Sequence, residues 1–215
     1  MNTFINRYFV GLDLGQARDF TALAVVERTE RDGGRDPVSW EQRKIMSLQV
    51  RHLERVPLGT TYPLVVRRAC ALLRILPAGA ECELLVDATG VGRPVVDLLK
   101  QEDLPGPLLP VLVTSGHSMS VADGFFRIPK RDLITGLQVA IQTEELRIAN
   151  GLDFGPTLLK EMTEMKVKVS DGGTEQFGAW REGTHDDLVF AVALATWGAK
   201  RWEPPADMCG RQRLF

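Results

Sequence analysis

Residues 8–28 read YFVGLDLGQARDFTALAVVER and contain two short apolar runs, 8–14 and 21–28, separated by a polar segment with a glycine. Apolar runs of this length, rich in β-branched residues and bounded by turn residues, predict two antiparallel strands joined by a turn. The polar stretch RTERDGGRDP follows, and the alternation within SWEQRKIMSLQV then predicts a third strand that pairs with the second. The chain therefore opens with three antiparallel strands.

Further along the chain, helical and strand patterns alternate. TYPLVVRRACALLRIL has apolar residues at helical spacing, and ECELLVDATGVGRPVVDLLKQ predicts a strand, a glycine-rich turn and a helix. GPLLPVLVTS predicts a fifth strand, which a β-α-β connection makes parallel to the fourth. Three more helices are predicted, at 129–145, 156–165 and 186–201. We therefore predict an α/β fold with a mixed five-stranded sheet, three antiparallel strands followed by two parallel ones, flanked by helices.

The segment 166–180, KVKVSDGGTEQFGAW, differs from its helical neighbours. Valine alternates with lysine, and Asp-Gly-Gly is typical of a tight turn, so the segment predicts an extra β-hairpin outside the core. We expect residues 1–203 to form a single domain that includes this hairpin. Residues 204–215 are expected to be a loosely ordered tail.

Composition excludes several classes of protein. The 215 residues carry 26 Lys and Arg against 28 Asp and Glu, so a polyanion could bind only to a local basic patch. Cys70, Cys82 and Cys209 are widely spaced and form no CxxC pair, which indicates neither a disulfide framework nor a zinc site. The longest apolar run, 188–197, is shorter than the roughly 18 residues that span a bilayer, so no membrane association and a cytoplasmic location are expected.

Two aspartates lie at the ends of predicted strands. Asp13 interrupts the first strand, where a carboxylate is costly unless a cation, a metal or hydrogen-bond donors compensate it. Gly11 and Gly15 leave room for a ligand to approach, although a strand-end aspartate that caps the following turn explains Asp13 equally well. Asp87 ends the fourth strand, at the carboxyl edge of the sheet where open α/β folds place ligands.

A third acidic feature, Asp186-Asp187, directly precedes the apolar helix LVFAVALATW. Taken alone, the pair is best explained as a helix cap with a carboxylate favoured by the helix dipole. If that helix packs across strands one and four, however, the pair meets Asp13 and Asp87. Carboxylates gathered in one place repel and are tolerated mainly when they bind divalent cations. Oxygen ligands favour Mg²⁺ or Mn²⁺ over zinc.

The order of strands and helices, with acidic residues on strands one and four and on a late helix, resembles the RNase H-like nuclease superfamily. Within it, four segments are similar, in order, to the C-terminal nuclease domain of the large terminase subunit of tailed bacteriophages. These segments are GLDLGQARDFTALAVVE, VDATGVGRPVVDLL, IPKRDLITGLQVAIQTEELRIA and THDDLVFAVALA. The resemblance extends over about residues 8–200.

The resemblance implies a DNA endonuclease that hydrolyses phosphodiester bonds with two Mg²⁺ or Mn²⁺ ions. Asp13, Asp87 and one or both of Asp186 and Asp187 would be the catalytic metal ligands, with Asp13 expected to bridge the ions. His185, beside the pair, could shuttle a proton or orient a ligand, although a histidine next to a helix cap is more often structural.

By the same resemblance, the 166–180 hairpin would lie near the DNA, with Lys166 and Lys168 as phosphate contacts. A solvated hairpin face explains these lysines equally well. Lys130 and Arg131, at the start of a helix, are either further phosphate contacts or simply exposed.

The implied partners are double-stranded DNA and, in genome packaging, a separate packaging ATPase, the small terminase subunit and the portal. The chain contains no Walker A sequence, so we expect the packaging motor to be encoded elsewhere and the protein to act in the cytoplasm of a bacterial host. Two alternatives stay open: a nuclease like the Holliday-junction resolvases, and a packaging or assembly module without catalytic activity.

Overall fold

The computed structural model describes residues 5–15, 19–40, 42–169, 175–178 and 185–202. Ten strands and five helices are formed within these ranges. The strands are β1 Ile5–Asp13, β2 Thr21–Arg35, β3 Gln42–Val56, β4 Glu81–Asp87, β5 Leu108–Thr114, β6 Ser120–Ala122, β7 Phe125–Pro129, β8 Leu146–Ile148, β9 Lys166–Val169 and β10 Glu175–Gly178. The helices are α1 Tyr62–Arg74, α2 Gly92–Leu99, α3 Lys130–Gln142, α4 Gly155–Glu164 and α5 Asp187–Arg201.

Eight strands form one mixed sheet in the order β6-β7-β5-β4-β1-β2-β3-β8. The strands β1, β2 and β3 are antiparallel, whereas β1, β4, β5 and β7 run parallel. The predicted mixed α/β sheet and its five central strands are therefore confirmed. The sheet is wider than expected because β7 and β6 extend one edge and β8 the other. The strands β6 and β8 have only three residues each, too few to show an alternating pattern.

The predicted hairpin is also present, as the antiparallel pair β9 and β10. Its strands lie outside the main sheet and form a separate two-stranded sheet. The side chains of the hairpin and the predicted tail, 204–215, lie outside the described residues.

Helix α5 lies directly against the centre of the sheet, and nearly all of its side chains are buried. Gly11 of β1 permits this contact, because a Cβ atom at Gly11 would lie 1.9 Å from the carbonyl oxygen of Ala191. Gly198 has the same role from the helix side, where a Cβ would meet the side chain of Leu85 at 2.7 Å. The expectation that Gly11 leaves room for a ligand is therefore wrong. This glycine leaves room for a helix.

The two faces of the sheet carry separate apolar cores. Helices α3, α4 and α5 cover one face, and α1 and α2 cover the other. Cys70 and Cys82 are free thiols buried in the second core, as expected for structural cysteines, and Cys209 lies outside the described residues. Among the helices described, none combines the length and the apolar character that crossing a membrane requires.

Candidate active site

Asp13 and Asp87 lie side by side at the carboxyl edge of the sheet. Each is the last residue of its strand, and β1 pairs in parallel with β4 in a register that matches Leu12 with Val86. Helix α5 begins at Asp187, with Asp186 as its N-cap, and its packing on β1 brings this end of the helix to the same edge. We call the four carboxylates Asp13, Asp87, Asp186 and Asp187 the acidic edge.

The other carboxylates of the acidic edge interact electrostatically with Asp13. Burial raises the pKa of Asp13 well above its usual range, and the charges of Asp87, Asp186 and Asp187, in that order, raise this pKa further. Lys130 opposes them and lowers the pKa. Burial also raises the pKa of Asp87, whereas hydrogen bonds from the Thr89 side chain and backbone N–H lower it. The Thr89 N–H donates to Asp87 Oδ1 at 2.8 Å.

The two aspartates at the start of α5 have different surroundings. The Asp186 side chain is 30% exposed, and its Oδ2 lies 3.7 Å from Lys130 Nζ. The Asp187 side chain is only 6% exposed and accepts two hydrogen bonds from Arg55, from Nε at 2.8 Å and from Nη2 at 3.2 Å. Asp186 therefore faces the open side of the acidic edge, whereas Asp187 is held by an arginine.

His185 lies beside the acidic edge without joining it through a hydrogen bond. Its ring packs edge-on against Phe20, with 5.1 Å between the ring centroids, and its Nδ1 is 3.9 Å from Asp187 Oδ1. The Phe20 contact thus holds the imidazole next to Asp187. A proton-transfer role for His185 stays a prediction.

The predicted DNA contacts have different positions. Lys130 belongs to the site itself, because its ammonium group lies beside Asp186 and 4.3 Å from the centre of the Phe190 ring. Arg131 is about half exposed and lies 3.6 Å from Asp132. The side chains of Lys166 and Lys168 fall outside the described residues, so their predicted role also stays a prediction.

The sequence analysis missed Arg55 and Glu161, which lie directly behind the acidic edge. Arg55 of β3 donates from Nη2 to Glu161 Oε1 as well as to Asp187, and Glu161 Oε2 accepts the backbone N–H of Val189 at 3.1 Å. Burial, followed by the charge of Asp187, raises the pKa of Glu161 to about 7 against the pull of Arg55 and the Val189 N–H. One signal was available: Glu161 lies one turn after Leu158 on the apolar face of α4.

The chemistry of the acidic edge fits a hard divalent cation. Its donors are carboxylate oxygens, the ligands that Mg²⁺ and Mn²⁺ prefer. Burial first, and then the neighbouring carboxylates, raise the pKa of Asp13, and a bound cation would favour the charged form of this group. Within the described ranges, no three His, Cys, Asp or Glu side chains are already drawn together as a metal-binding group. Across this edge, the charges of Asp87, Asp186 and Asp187 all act on the carboxyl group of Asp13.

Comparisons with known proteins point to one group of nucleases. No protein-family model and no curated protein matches the sequence. The large terminase nuclease from the thermophilic phage G20c superposes with a TM-score of 0.55, at 20% identity over 92% of this chain and 83% of that one. The same nuclease with bound magnesium gives 0.58, at 21% identity over 92% and 82% of the two chains. The large terminase nuclease domain of Thermus phage P74-26 gives 0.54, at 21% identity over 88% and 78%.

These alignments extend over most of both chains. The identity is low, so the likeness is one of architecture. Together with the strand order and the position of α5, it shows that this chain has the RNase H-like fold of the phage large terminase nuclease domains.

Proposed function

We propose that this chain is a DNA endonuclease that depends on a divalent metal and hydrolyses phosphodiester bonds. The observation that carries the proposal is the placement of Asp13, Asp87 and Asp186 at the carboxyl edge of a sheet with the terminase nuclease fold, where the charges of the other two act on Asp13. The magnesium bound to one of the similar nucleases supports Mg²⁺ or Mn²⁺ as the ion.

Asp13, Asp87 and Asp186 would hold two ions, with Asp13 as the shared ligand. Asp13 is assigned this place because the charges of all three other carboxylates act on it. Asp186 is preferred over Asp187 because both oxygens of Asp187 are engaged by Arg55. When bound, a pair of divalent ions supplies an activated water and stabilises the leaving 3′ oxygen.

Two other groups of the chain orient the site and its substrate. The Thr89 backbone N–H donates to Asp87 Oδ1 and so helps to orient this carboxylate. Lys130 holds an ammonium group next to Asp186, in a position to bind a phosphate oxygen of the DNA when a metal ion neutralises that carboxylate.

The proposed substrate is double-stranded DNA, by analogy with the cleavage of concatemeric phage genomes during packaging. A separate packaging ATPase, a small terminase subunit and a portal would then be its partners, in the cytoplasm of a bacterial host. Two alternative functions are compatible with the same fold. One is a resolvase-like nuclease that acts on four-way junctions, and the other is an assembly module without catalytic activity.

Cleavage of supercoiled plasmid tests the proposal directly. We expect nicking and linearisation with Mn²⁺ or Mg²⁺, none with EDTA, and a loss of at least about 100-fold in Asp13→Asn and Asp87→Asn. Asp97→Asn is the matched control, because the Asp97 side chain is 73% exposed on α2 and its partner Lys100 lies on the same surface. Its rate should stay within about twofold of the wild type.

Three results would contradict all or part of this function. Cleavage in EDTA, or full activity in both site variants, would show that the acidic edge does not perform the reaction. Stronger inhibition by a four-way junction than by linear duplex would favour the resolvase-like alternative. No cleavage with either ion, together with no rise in melting temperature on adding Mn²⁺, would favour the assembly module without catalytic activity.

A further inference from the structure

Two arginines of the sheet, the buried Arg28 and the partly buried Arg55, contact the two ends of α5. At its carboxyl end, Arg28 of β2 donates to the backbone oxygens of Ala199 and Trp202 and pairs with Glu30. At its amino end, Arg55 of β3 pairs with Asp187 and Glu161. The first contact lies far from the acidic edge, whereas the second lies directly behind it.

The contacts of Arg55 join three elements at the first turn of α5. Its guanidinium group forms a two-point contact with Asp187 on α5 and a further hydrogen bond with Glu161 on α4. The second oxygen of Glu161 accepts the Val189 N–H, one of the amide groups that a helix start leaves without a partner inside the helix. The side chains of Asp187 and Glu161 are only 6% and 5% exposed, so these two carboxyl groups are largely shielded from water.

This network determines which carboxylate reaches the open side of the site. Consecutive helical residues point about 100° apart, so fixing Asp187 towards Arg55 also fixes the direction of Asp186. The charge of Asp186 acts on Asp13 ahead of that of Asp187. A rotation of the first turn would move both side chains together.

We propose that Arg55 and Glu161 are positioning residues that fix the first turn of α5 so that Asp186 completes a metal site with Asp13 and Asp87. The inference rests on the proposed function, because it concerns the same site. Side chains that orient metal ligands through hydrogen bonds typically contribute about 10- to 100-fold to metal affinity.

The affinity for Mn²⁺, measured by titration calorimetry without DNA at pH 8, above the pKa of about 7 of Glu161, tests this role independently of cleavage. The key pair of variants is Glu161→Gln and Arg55→Gln, which remove charges of opposite sign. If only their charge mattered, the loss of Glu161 would weaken binding of a cation and the loss of Arg55 would strengthen it. Positioning predicts that both variants weaken binding, by about 10- to 100-fold.

Two further variants complete the design. Arg55→Lys keeps the charge, but a lysine lacks the planar fork that contacts Asp187 at two points, so we expect weaker Mn²⁺ binding here too. Glu30→Gln is the matched control, since Glu30 is equally buried, at 7% exposure, and pairs with the arginine at the other end of the same helix. It should bind Mn²⁺ like the wild type. Circular dichroism and thermal unfolding establish that each variant is folded.

Each result has one meaning. Opposite effects of Glu161→Gln and Arg55→Gln on the affinity for Mn²⁺ would show that the network acts on metal binding only through its charges. Wild-type affinity in Glu161→Gln and Arg55→Lys would refute positioning even if Arg55→Gln failed to fold. An equal loss in Glu30→Gln would show that only the general rigidity of α5 matters. A folded wild-type protein that binds no Mn²⁺ would instead refute the proposed metal site itself.

Discussion

The buried carboxyl group of Glu161 makes the stability of the metal-free protein depend on pH. Its pKa rises from 4.5 to about 7 on folding, because burial and Asp187 disfavour the charged form. Between these two values the folded protein keeps a proton that the unfolded chain has released. The folded state therefore binds more protons in this window, and the free energy of unfolding falls as the pH rises through it.

The size of the effect follows from the two pKa values. Each tenfold change in proton affinity is worth about 1.4 kcal/mol, so Glu161 contributes a loss on the order of 3 kcal/mol between pH 4.5 and pH 8. For a domain of this size, each kcal/mol shifts the melting temperature by about 2 to 4 °C. The expected fall attributable to Glu161 is therefore roughly 6 to 12 °C.

Calorimetric unfolding in EDTA at several values between pH 5 and pH 8 measures this fall. The wild type must be compared with Glu161→Gln, which cannot ionise at this position. The comparison is needed because burial lowers the pKa of His52, which makes stability rise with pH and partly masks the effect. We expect the melting temperature of the wild type to fall relative to that of the variant as the pH rises. Parallel curves for the two proteins would show that Glu161 ionises normally in the folded state and would refute the reasoning.

Two other predictions concern the same helix and site. Saturation with Mn²⁺ should raise the melting temperature more at pH 8 than at pH 6, because the carboxylates must lose protons to bind; a concentration of 100 times Kd corresponds to about 2.7 kcal/mol. A smaller rise at pH 8 would contradict carboxylate ligation. Gly11→Ala should destabilise the fold by about 3 kcal/mol or more in urea unfolding, since the new Cβ would strike Ala191. Gly136→Ala, in α3 with open space around it, should instead stabilise by about 0.5 to 1 kcal/mol, and equal effects of the two substitutions would refute the packing argument.

The central strands and the acidic edge could be predicted because their signals are local. The runs that became β1, β2 and β4 are continuous stretches of buried residues, and their ends show in the sequence as a change to glycine and polar residues. Asp13 and Asp87 end two of these strands, and Asp186 begins a helix. Once the parallel pairing is inferred, the placement of Asp13 and Asp87 at the same edge of the sheet follows from topology alone.

The contacts that the sequence did not reveal depend on how elements distant in the chain pack against one another. Arg55 lies near the end of β3 opposite Ala22, and its proximity to Glu161 arises only after α4 and α5 pack on the same face of the sheet. Gly11 gave a correct signal of close approach, but a glycine in a strand does not show whether a ligand or a helix approaches it. The edge strand β8 depends on pairing with β3, which is distant in sequence, and β6 depends on pairing with β7 across a turn.

Under the proposed function, the charges around the start of α5 would favour the binding of two divalent ions over one. In the described part of the chain, the acidic edge and Glu161 together bring five carboxyl groups against two cations, Lys130 and Arg55. With all of them ionised, three negative charges are left without a partner, and the amino end of α5 offsets only about half a charge. One divalent ion together with the single negative charge of a phosphodiester would leave two negative charges in a partly buried site. Two ions and the same phosphodiester bring the total to neutrality, so the DNA itself would complete the charge balance that makes binding of the second ion favourable.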